Sequence, residues 1–350
     1  MVGIRDTTFS LEMSDGRRRI PLDEFCATLG RILAEAGLAE ERASLVARLF
    51  TENQRDGVFS HGLNRFAGFV KGIGSKRVDI DATPEMVESL GVIERWDGKM
   101  GIGLWNATEC MARAVEIAQR AGMGCVGIRN TNHWMRAGSY ALQAADAGCI
   151  GICWTNTKPL MPPWGSAEVR IGNNPMAIAI PRSAGQVLLD MAMSQYSFGK
   201  LQVSIQQGEL LPYPGGYDSE GKLSVDPASV REAQRALPIG YWKGSGLAIV
   251  LDIMATVLSG GQSTHEIGRQ GSEYGVSQVF IAINANLPAG EKDRDEFVDA
   301  IIRNIKAAVP LVEAEGVRYP GERMLRTRTE SLEKGVLVDE RQWQELLEMV

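Results

Sequence analysis

The feature that most constrains this 350-residue chain is a glycine pattern in the wrong context. Gly122-Met123-Gly124-Cys125-Val126-Gly127 spells G-x-G-x-x-G literally. In a Rossmann unit that pattern follows a strand and opens a helix, so that bare backbone and a helix N-terminus meet a pyrophosphate. Here the order is reversed. Over 106–120, Ala107, Met111, Val115 and Ala118 recur at helical spacing, and Cys125–Arg129 reads as a short strand. Gly122 and Gly124 are then a helix stop and a turn. The pattern gives no support to a Rossmann fold.

The remaining sequence alternates helix and strand. Phe25, Leu29, Ile32 and Leu33 share a helical face over 21–36. A second helix starts near Glu40, with Ala43, Val46, Leu49 and Phe50 on its apolar side. Residues 60–72 continue as a helix closed by Gly72 and Gly74. Strand-like runs at 78–80 and 90–95 precede a turn at Trp96-Asp97-Gly98. Gly138–Ala147 reads as a helix, and Cys149–Trp154, Met176–Ile180 and Val187–Met191 as strands. Residues 209–224 read as an extended loop. Leu247, Val250, Leu251, Met254 and Leu258, thickened by Ile249 and Ile253, define the longest apolar helix, expected to be buried on most sides. Val279–Ile283 is a buried strand candidate, and 291–307 and about 339–349 are amphipathic helices. This alternation predicts an α/β layer.

Charge and cysteine usage narrow the function. The net charge is −6, with no basic block or aromatic-basic stripe, which argues against nucleic-acid binding as the main role. No run of 18 apolar residues occurs, so no membrane span is expected. The N-terminus lacks the apolar core of a secretory signal. A cytoplasmic protein with a loosely held leader over residues 1–19 is the expectation. Cys26, Cys110, Cys125, Cys149 and Cys153 are odd in number and form no C-x-x-C. Cys149 and Cys153 would suit a zinc pair on a helix, but their segment reads as a strand, so buried, reduced thiols are expected. P-loop, H-E-x-x-H and G-x-S-x-G patterns are absent, and no metal is demanded.

His61 is one of three histidines, and Arg65 follows four positions later. Imidazole exchanges a proton near neutrality, and guanidinium clamps a carboxylate with two parallel bonds. If the segment is helical, both fall on one face, as reduction of a carbonyl beside a carboxylate would require. By residue type alone, a helix-end histidine and a surface arginine is the reading that stands ahead. His133 closes a strand in a polar loop, and His265 reads as loop or surface.

Several phrases together carry a family resemblance. SHGLNRF at 60–66, RNTNHWMRAGSY at 129–140, ICWTNTKPLMPPWG at 152–165, GNNPMAIAIP at 172–181, YWKGSGLAIVLD at 241–252 and the region around Pro320-Gly321-Glu322 occur in family order from about residue 20. The chain resembles the malate/L-lactate dehydrogenase type-2 family of NAD(P)-dependent oxidoreductases. Its tryptophan-bearing loops are similar to those of a subgroup that reduces the 2-keto group of a six-carbon sugar acid. Asn173 stands where threonine is familiar.

That resemblance implies a non-Rossmann dinucleotide-binding α/β domain with a mixed sheet at about 78–243. It also implies a helix-rich domain built from 20–77 with about 244–350, as in the L-sulfolactate dehydrogenase-like fold. It implies NADH/NAD as cofactor, with NADPH possible, a small sugar-acid or 2-keto acid substrate, and a homodimer. His61 matches the family's acid/base residue. Arg65 would fork the carboxylate, Ser60 would steady the histidine, and His133 would line the pocket. Cofactor contacts carry over onto Gln186, Val187, Leu188, Leu189, Asp190, Met191 and Ala192, onto Trp242 and Lys243, and onto Gly321, Glu322 and Arg323. Thr155 and Asn156 are further candidates for its amide or hydroxyl groups. Malate, lactate, ureidoglycolate or a cyclic imino acid as substrate, and a non-catalytic sugar-acid binding protein, are the competing readings. The polar reach around Trp134, Trp154 and Trp164 is the expected discriminator among substrates.

Overall fold

A computed structural model describes residues 16–74, 77–286, 290–310 and 316–349. The chain runs β1 (Arg17–Ile20), α1 (Leu22–Glu35), α2 (Glu40–Arg55), a 3-10 turn (Phe59–His61) and α3 (Leu63–Ile73). It continues with β2 (Glu85–Leu90), β3 (Ile93–Asp97), α4 (Gly103–Ala121), β4 (Met123–Thr131), α5 (Ala137–Asp146) and β5 (Cys149–Thr155). Then come β6 (Met176–Ile180), β7 (Val187–Met191), α6 (Phe198–Gln207), the short pair β8 (Gly216–Tyr217) and β9 (Leu223–Ser224), α7 (Pro227–Ala233) and α8 (Trp242–Ser259). The last elements are α9 (Thr264–Arg269), β10 (Val276–Asn284), α10 (Gly290–Lys306), α11 (Glu322–Lys334), β11 (Val336–Asp339) and α12 (Glu340–Leu347).

Two units emerge: Met1–Ser75 with Arg323–Val350, and Lys76–Glu322. The first is helical, with β1 paired antiparallel to β11 from Arg17↔Asp339 to Ile20↔Val336. Its core follows the expected helical face: Phe25, Leu29, Ile32 and Leu33 are buried, and Phe25 stacks on Trp343 at 5.4 Å. Phe50 meets Phe66 edge-on at 5.1 Å. Residues 17–19 are thus part of a strand, not of a loose leader; the earlier part of that leader, residues 1–15, lies outside the described residues.

The second unit is a seven-stranded sheet in the order β2-β3-β4-β10-β5-β6-β7. The sheet is mixed: β3 and β4 are parallel, and the other pairs antiparallel. β10 sits between β4 and β5, which explains a difference from the expected domain division at about 244. The strand that completes the sheet comes late in sequence, so 244–322 lies with the sheet unit rather than with the terminal helices. Gly122 ends α4 at φ +86, and β4 starts at Met123, so the glycine triplet joins helix to strand. Gly124 allows close packing: a Cβ there would lie 2.2 Å from the Ala114 carbonyl oxygen.

Three local expectations are revised. Trp96 and Asp97 extend β3 and are not a turn, whereas 78–80 holds only a bridge between Asp79 and Gly101. The 60–72 helix starts after Gly62, leaving His61 in the preceding 3-10 turn. Helix α8 is not buried on most sides. Gly244, Ala248, Leu251, Ala255 and Ser259 form its buried stripe, while Ile249, Val250, Ile253, Met254 and Val257 are exposed. By length and composition α8 could cross a membrane, but its small-residue stripe lets it lie on the sheet, beside β4, β5 and β10.

Candidate active site

The terminal unit presents His61 by clamping the backbone around it. Asn53 and Gln54, both buried at the end of α2, carry the clamp. Asn53 donates its side-chain amide to the His61 carbonyl at 2.9 Å. Gln54 accepts from the Leu63 N–H at 2.9 Å and donates to the Leu337 carbonyl at 2.6 Å, tying the turn to β11. Gly62 is needed for this approach, because a Cβ there would sit 2.2 Å from Gln54 Oε1. The Ser60 hydroxyl lies 3.0 Å from His61 Nδ1. A hydroxyl can donate or accept by rotation, so Ser60 accommodates either protonation state of the ring. Arg65 is exposed on the first turn of α3 and makes no ion pair among the described residues. His61 and Arg65 therefore belong to different elements, and one continuous helical face does not relate them. Sequence reasoning missed the two amides of the clamp; their polarity, on the last turn of an otherwise apolar helix face, was the available signal.

The sheet unit presents His133 in the opposite manner. Here the ring itself is fixed: the Met135 N–H donates to His133 Nδ1 at 3.0 Å. An N–H can only donate, so Nδ1 is the acceptor and the ring proton sits on Nε2. Met135 adopts φ +64 to close this small ring, a conformation that non-glycine residues rarely take. The loop is bolted down on both sides. Asn132 donates to the carbonyls of Met100 and Gly101, and Tyr140 OH donates to the Trp134 carbonyl at 2.6 Å. Gly103 is packed against the same loop, where a Cβ would lie 2.1 Å from the Asn132 carbonyl oxygen.

Two of the three expected cofactor stretches meet directly. The Leu188 N–H donates to the Pro320 carbonyl at 3.1 Å, bringing 186–192 on edge strand β7 beside Gly321. Gly321 has φ +93, and a Cβ there would lie 2.8 Å from Leu188 N, so glycine lets this segment pack directly against β7. The chain just past β7 pairs with the chain leading into α8: Gln195 N–H donates to Leu237, and Ile239 N–H to Met193. Trp242 and Lys243 follow on the first turn of α8; Lys243 is exposed and makes no ion pair among the described residues. The exposed cationic side chain of Lys243 suits a phosphate-bearing dinucleotide.

Other assigned residues are occupied elsewhere. Asp190 accepts from Arg136 Nε and from the Gly138 N–H, both at 3.2 Å, and so caps α5 and holds the His133 loop. Gln186 bonds to Asp146. Glu322 pairs with Lys306 at 2.6 Å, which lowers its carboxyl pKa. Arg323 is exposed and opens the C-terminal part of the terminal unit. Thr155 and Asn156 lie inside the protein. Asn156 is fully buried, donating to Asp252 and Gln262 and accepting from Ser277, while Thr155 donates to backbone carbonyls. Their side chains hold loops together.

The tryptophans divide similarly. Trp134 and Trp154 are 1% and 2% exposed and belong to the core, whereas Trp164 is 49% exposed. Only Trp164 can serve the expected substrate discrimination. The five cysteines are unpaired; burial pushes the Cys125 thiol up to about 11 and raises Cys110 and Cys153 well above the ordinary thiol value. Among the described residues no three His, Cys, Asp or Glu side chains gather as metal ligands.

The malate/L-lactate dehydrogenase family model matches residues 20–347, and the chain belongs to that family. It is accordingly an NAD(H)-dependent oxidoreductase acting on a small hydroxy or keto acid. The chain is 43% identical over 326 residues to a 2,3-diketo-L-gulonate reductase of Citrobacter koseri, covering 93% of this chain and 98% of the relative. Among solved structures, it resembles the malate dehydrogenase of Entamoeba histolytica, with TM-score 0.90, 26% identity, and coverage of 95% and 97%. It also resembles the sulfolactate dehydrogenase of Methanocaldococcus jannaschii, with TM-score 0.83, 27% identity, and coverage of 95% and 96%. The fold is therefore that of the sulfolactate and malate dehydrogenases of this family, with a mixed sheet and a helical unit of N- and C-terminal segments.

Proposed function

We propose that the chain catalyses NADH-dependent reduction of 2,3-diketo-L-gulonate to 3-dehydro-L-gulonate, in a reversible 2-keto/2-hydroxy acid interconversion. The observation that carries this reading is the near-full-length identity to a reductase of that substrate. When bound, NADH supplies the hydride that reduces the C2 carbonyl. His61 donates the proton to the developing alkoxide, through Nε2 because Nδ1 faces Ser60. The neutral ring that results keeps its Nδ1–H, which the Ser60 oxygen accepts before and after the transfer. Arg65 forks the substrate carboxylate and fixes the face on which the 2-keto carbon is presented. His133 offers an Nε2–H donor of fixed tautomer to a ligand oxygen. Lys243 and the backbone at Gly321 hold the dinucleotide, with Gln186, Val187, Leu188, Leu189, Asp190, Met191 and Ala192 forming the strand beside it. Glu322 and Arg323 continue the Gly321 contact.

The same reading includes a homodimer. The exposed apolar side of α8, from Leu247 through Val257, offers a surface for a second copy. A cytoplasmic location agrees with five unpaired cysteines.

The test is an NADH and NADPH oxidation screen with 2,3-diketo-L-gulonate, pyruvate, oxaloacetate and piperideine-2-carboxylate. The reading requires the highest kcat/KM for the diketo sugar acid. Equal rates with pyruvate would overturn the substrate assignment while leaving the enzyme class intact. Within the screen, Arg65→Lys replaces a fork with a point charge and should reduce kcat/KM by about tenfold or more, in keeping with a lost charge-assisted bond. An unchanged kcat/KM would remove the clamp.

A further inference from the structure

The entrance to α8 carries a backbone conformation that its sequence should resist. Tyr241 stands at φ +59 and ψ −113, directly after Gly240 at φ +56. Glycine tolerates such angles, whereas a tyrosine there is held by its surroundings. The surroundings are visible. Tyr241 N–H donates to the Pro238 carbonyl, its own carbonyl accepts from Ser245 N–H, and a Cβ at Gly244 would lie 2.2 Å from the Ile239 carbonyl oxygen. The turn is therefore fixed from both ends. Tyrosine nevertheless fills the one position where glycine would be unstrained.

The ring does not repay the strain by filling a core. Tyr241 is 44% exposed. It meets Trp164 edge-on, with ring centroids 5.3 Å apart, and Trp164 is itself half exposed. Trp164 is fixed by its backbone N–H, which donates to Ser245 Oγ at 2.9 Å. Trp242, the next residue, is 64% exposed. Three aromatic rings thus crowd the first turn of α8 around Lys243. They are held by backbone bonds rather than by burial.

We propose that Trp164 and Tyr241 form an aromatic ledge that stacks on a planar ring of the bound dinucleotide beside Lys243. This rests on the proposed role of Trp242 and Lys243 in cofactor binding, and it adds two residues outside all the assigned stretches. Lys243 supplies charge for the phosphates, whereas the ledge supplies an exposed ring face braced edge-on by the second ring, the two kinds of contact a nucleotide offers. The strained turn aims Tyr241 across Trp164, and the free enzyme bears the strain so that the ledge is preformed.

NADH affinity of the full chain, measured by calorimetry without substrate, tests the ledge for Tyr241→Gly, Tyr241→Phe and Trp164→Ala, alongside thermal melting. Base–aromatic stacking implies that NADH Kd rises about tenfold in Tyr241→Gly and in Trp164→Ala, while Tyr241→Phe binds as the parent does. The melting temperature of Tyr241→Gly is expected to hold or rise, because a strained residue is replaced by one that suits its angles. Unchanged NADH affinity in both truncations overturns the proposal. So does a lower melting temperature of Tyr241→Gly with unchanged NADH affinity, which would make the ring a structural prop. A selective rise in KM for the keto acid with unchanged NADH Kd also overturns it and assigns the ledge to substrate. The NADH affinity and melting readouts need no keto acid, so failure of the ledge and failure of the substrate assignment are separable.

Discussion

The two histidine-bearing turns solve the same problem in opposite ways. Around His61 the backbone is clamped by the neutral amides of Asn53 and Gln54, while the ring's Nδ1 faces a rotatable hydroxyl. Around His133 the ring nitrogen is itself bound by a backbone N–H that can only donate. The first arrangement fixes position and leaves protonation adjustable; the second fixes the tautomer. A proton donor needs the first, and a directional hydrogen-bond donor needs the second. The difference assigns separate jobs to two residues that look alike in sequence.

The clamp is the first place to break this contrast. Gln54→Ala leaves the Leu63 N–H and the Leu337 carbonyl without their partner, at about 1–3 kcal/mol for each group that stays buried. Denaturant unfolding should show a loss of about 2–6 kcal/mol on that basis, with a fall in kcat. Full stability would mean that the turn holds itself. For His133→Phe, which removes both the Nε2–H donor and the Nδ1 acceptor of the Met135 N–H, we expect about a tenfold fall in kcat/KM together with a stability loss of about 1–3 kcal/mol. A loss in stability without a kinetic effect would turn His133 into a loop staple.

Acid gives the smallest and most selective probe, because an amide clamp does not titrate and a carboxylate clasp does. In the loop between β6 and β7, the Ser183 N–H donates to Asp295 of α10, which also pairs with Arg294, and the Ser183 bonds lower the Asp295 pKa from 3.8 to about 2. A depressed carboxylate contributes stability above its unfolded value and loses it as pH falls through the folded value. The melting-temperature difference between the parent and Asp295→Asn should thus be full above pH 3.8 and vanish toward pH 2. A difference that persists unchanged to pH 2 would mean that charge is not what Asp295 contributes.

Much of the fold was legible locally. The α1 face, the α4 period and the helix-before-strand order at Gly122 rest on nearest-neighbour chemistry, and they lie as the pattern required. Pairing across the chain was not legible. Nothing near Arg17 announces that it will meet Asp339, and nothing in 276–284 announces a place between β4 and β5. Helix α8 misled because hydrophobicity reports on tendency to be covered, not on which face this chain covers. At the candidate site, residue type singled out His61 and Arg65 as candidates, and the family resemblance added Lys243. It could not separate Trp134 and Trp154 in the core from Trp164 at the surface, nor see that Asn156 spends its amide internally. Those distinctions depend on where partners from distant strands arrive.

The central claim is that His61 delivers the proton in reduction of a 2-keto acid. It is tested most directly by single-turnover oxidation of prebound NADH on mixing with 2,3-diketo-L-gulonate, comparing the parent with His61→Gln. General acid catalysis predicts a rate lower by about 10²–10⁴-fold in the variant, with NADH affinity and thermal melting unchanged. A single-turnover rate equal to the parent's would contradict it.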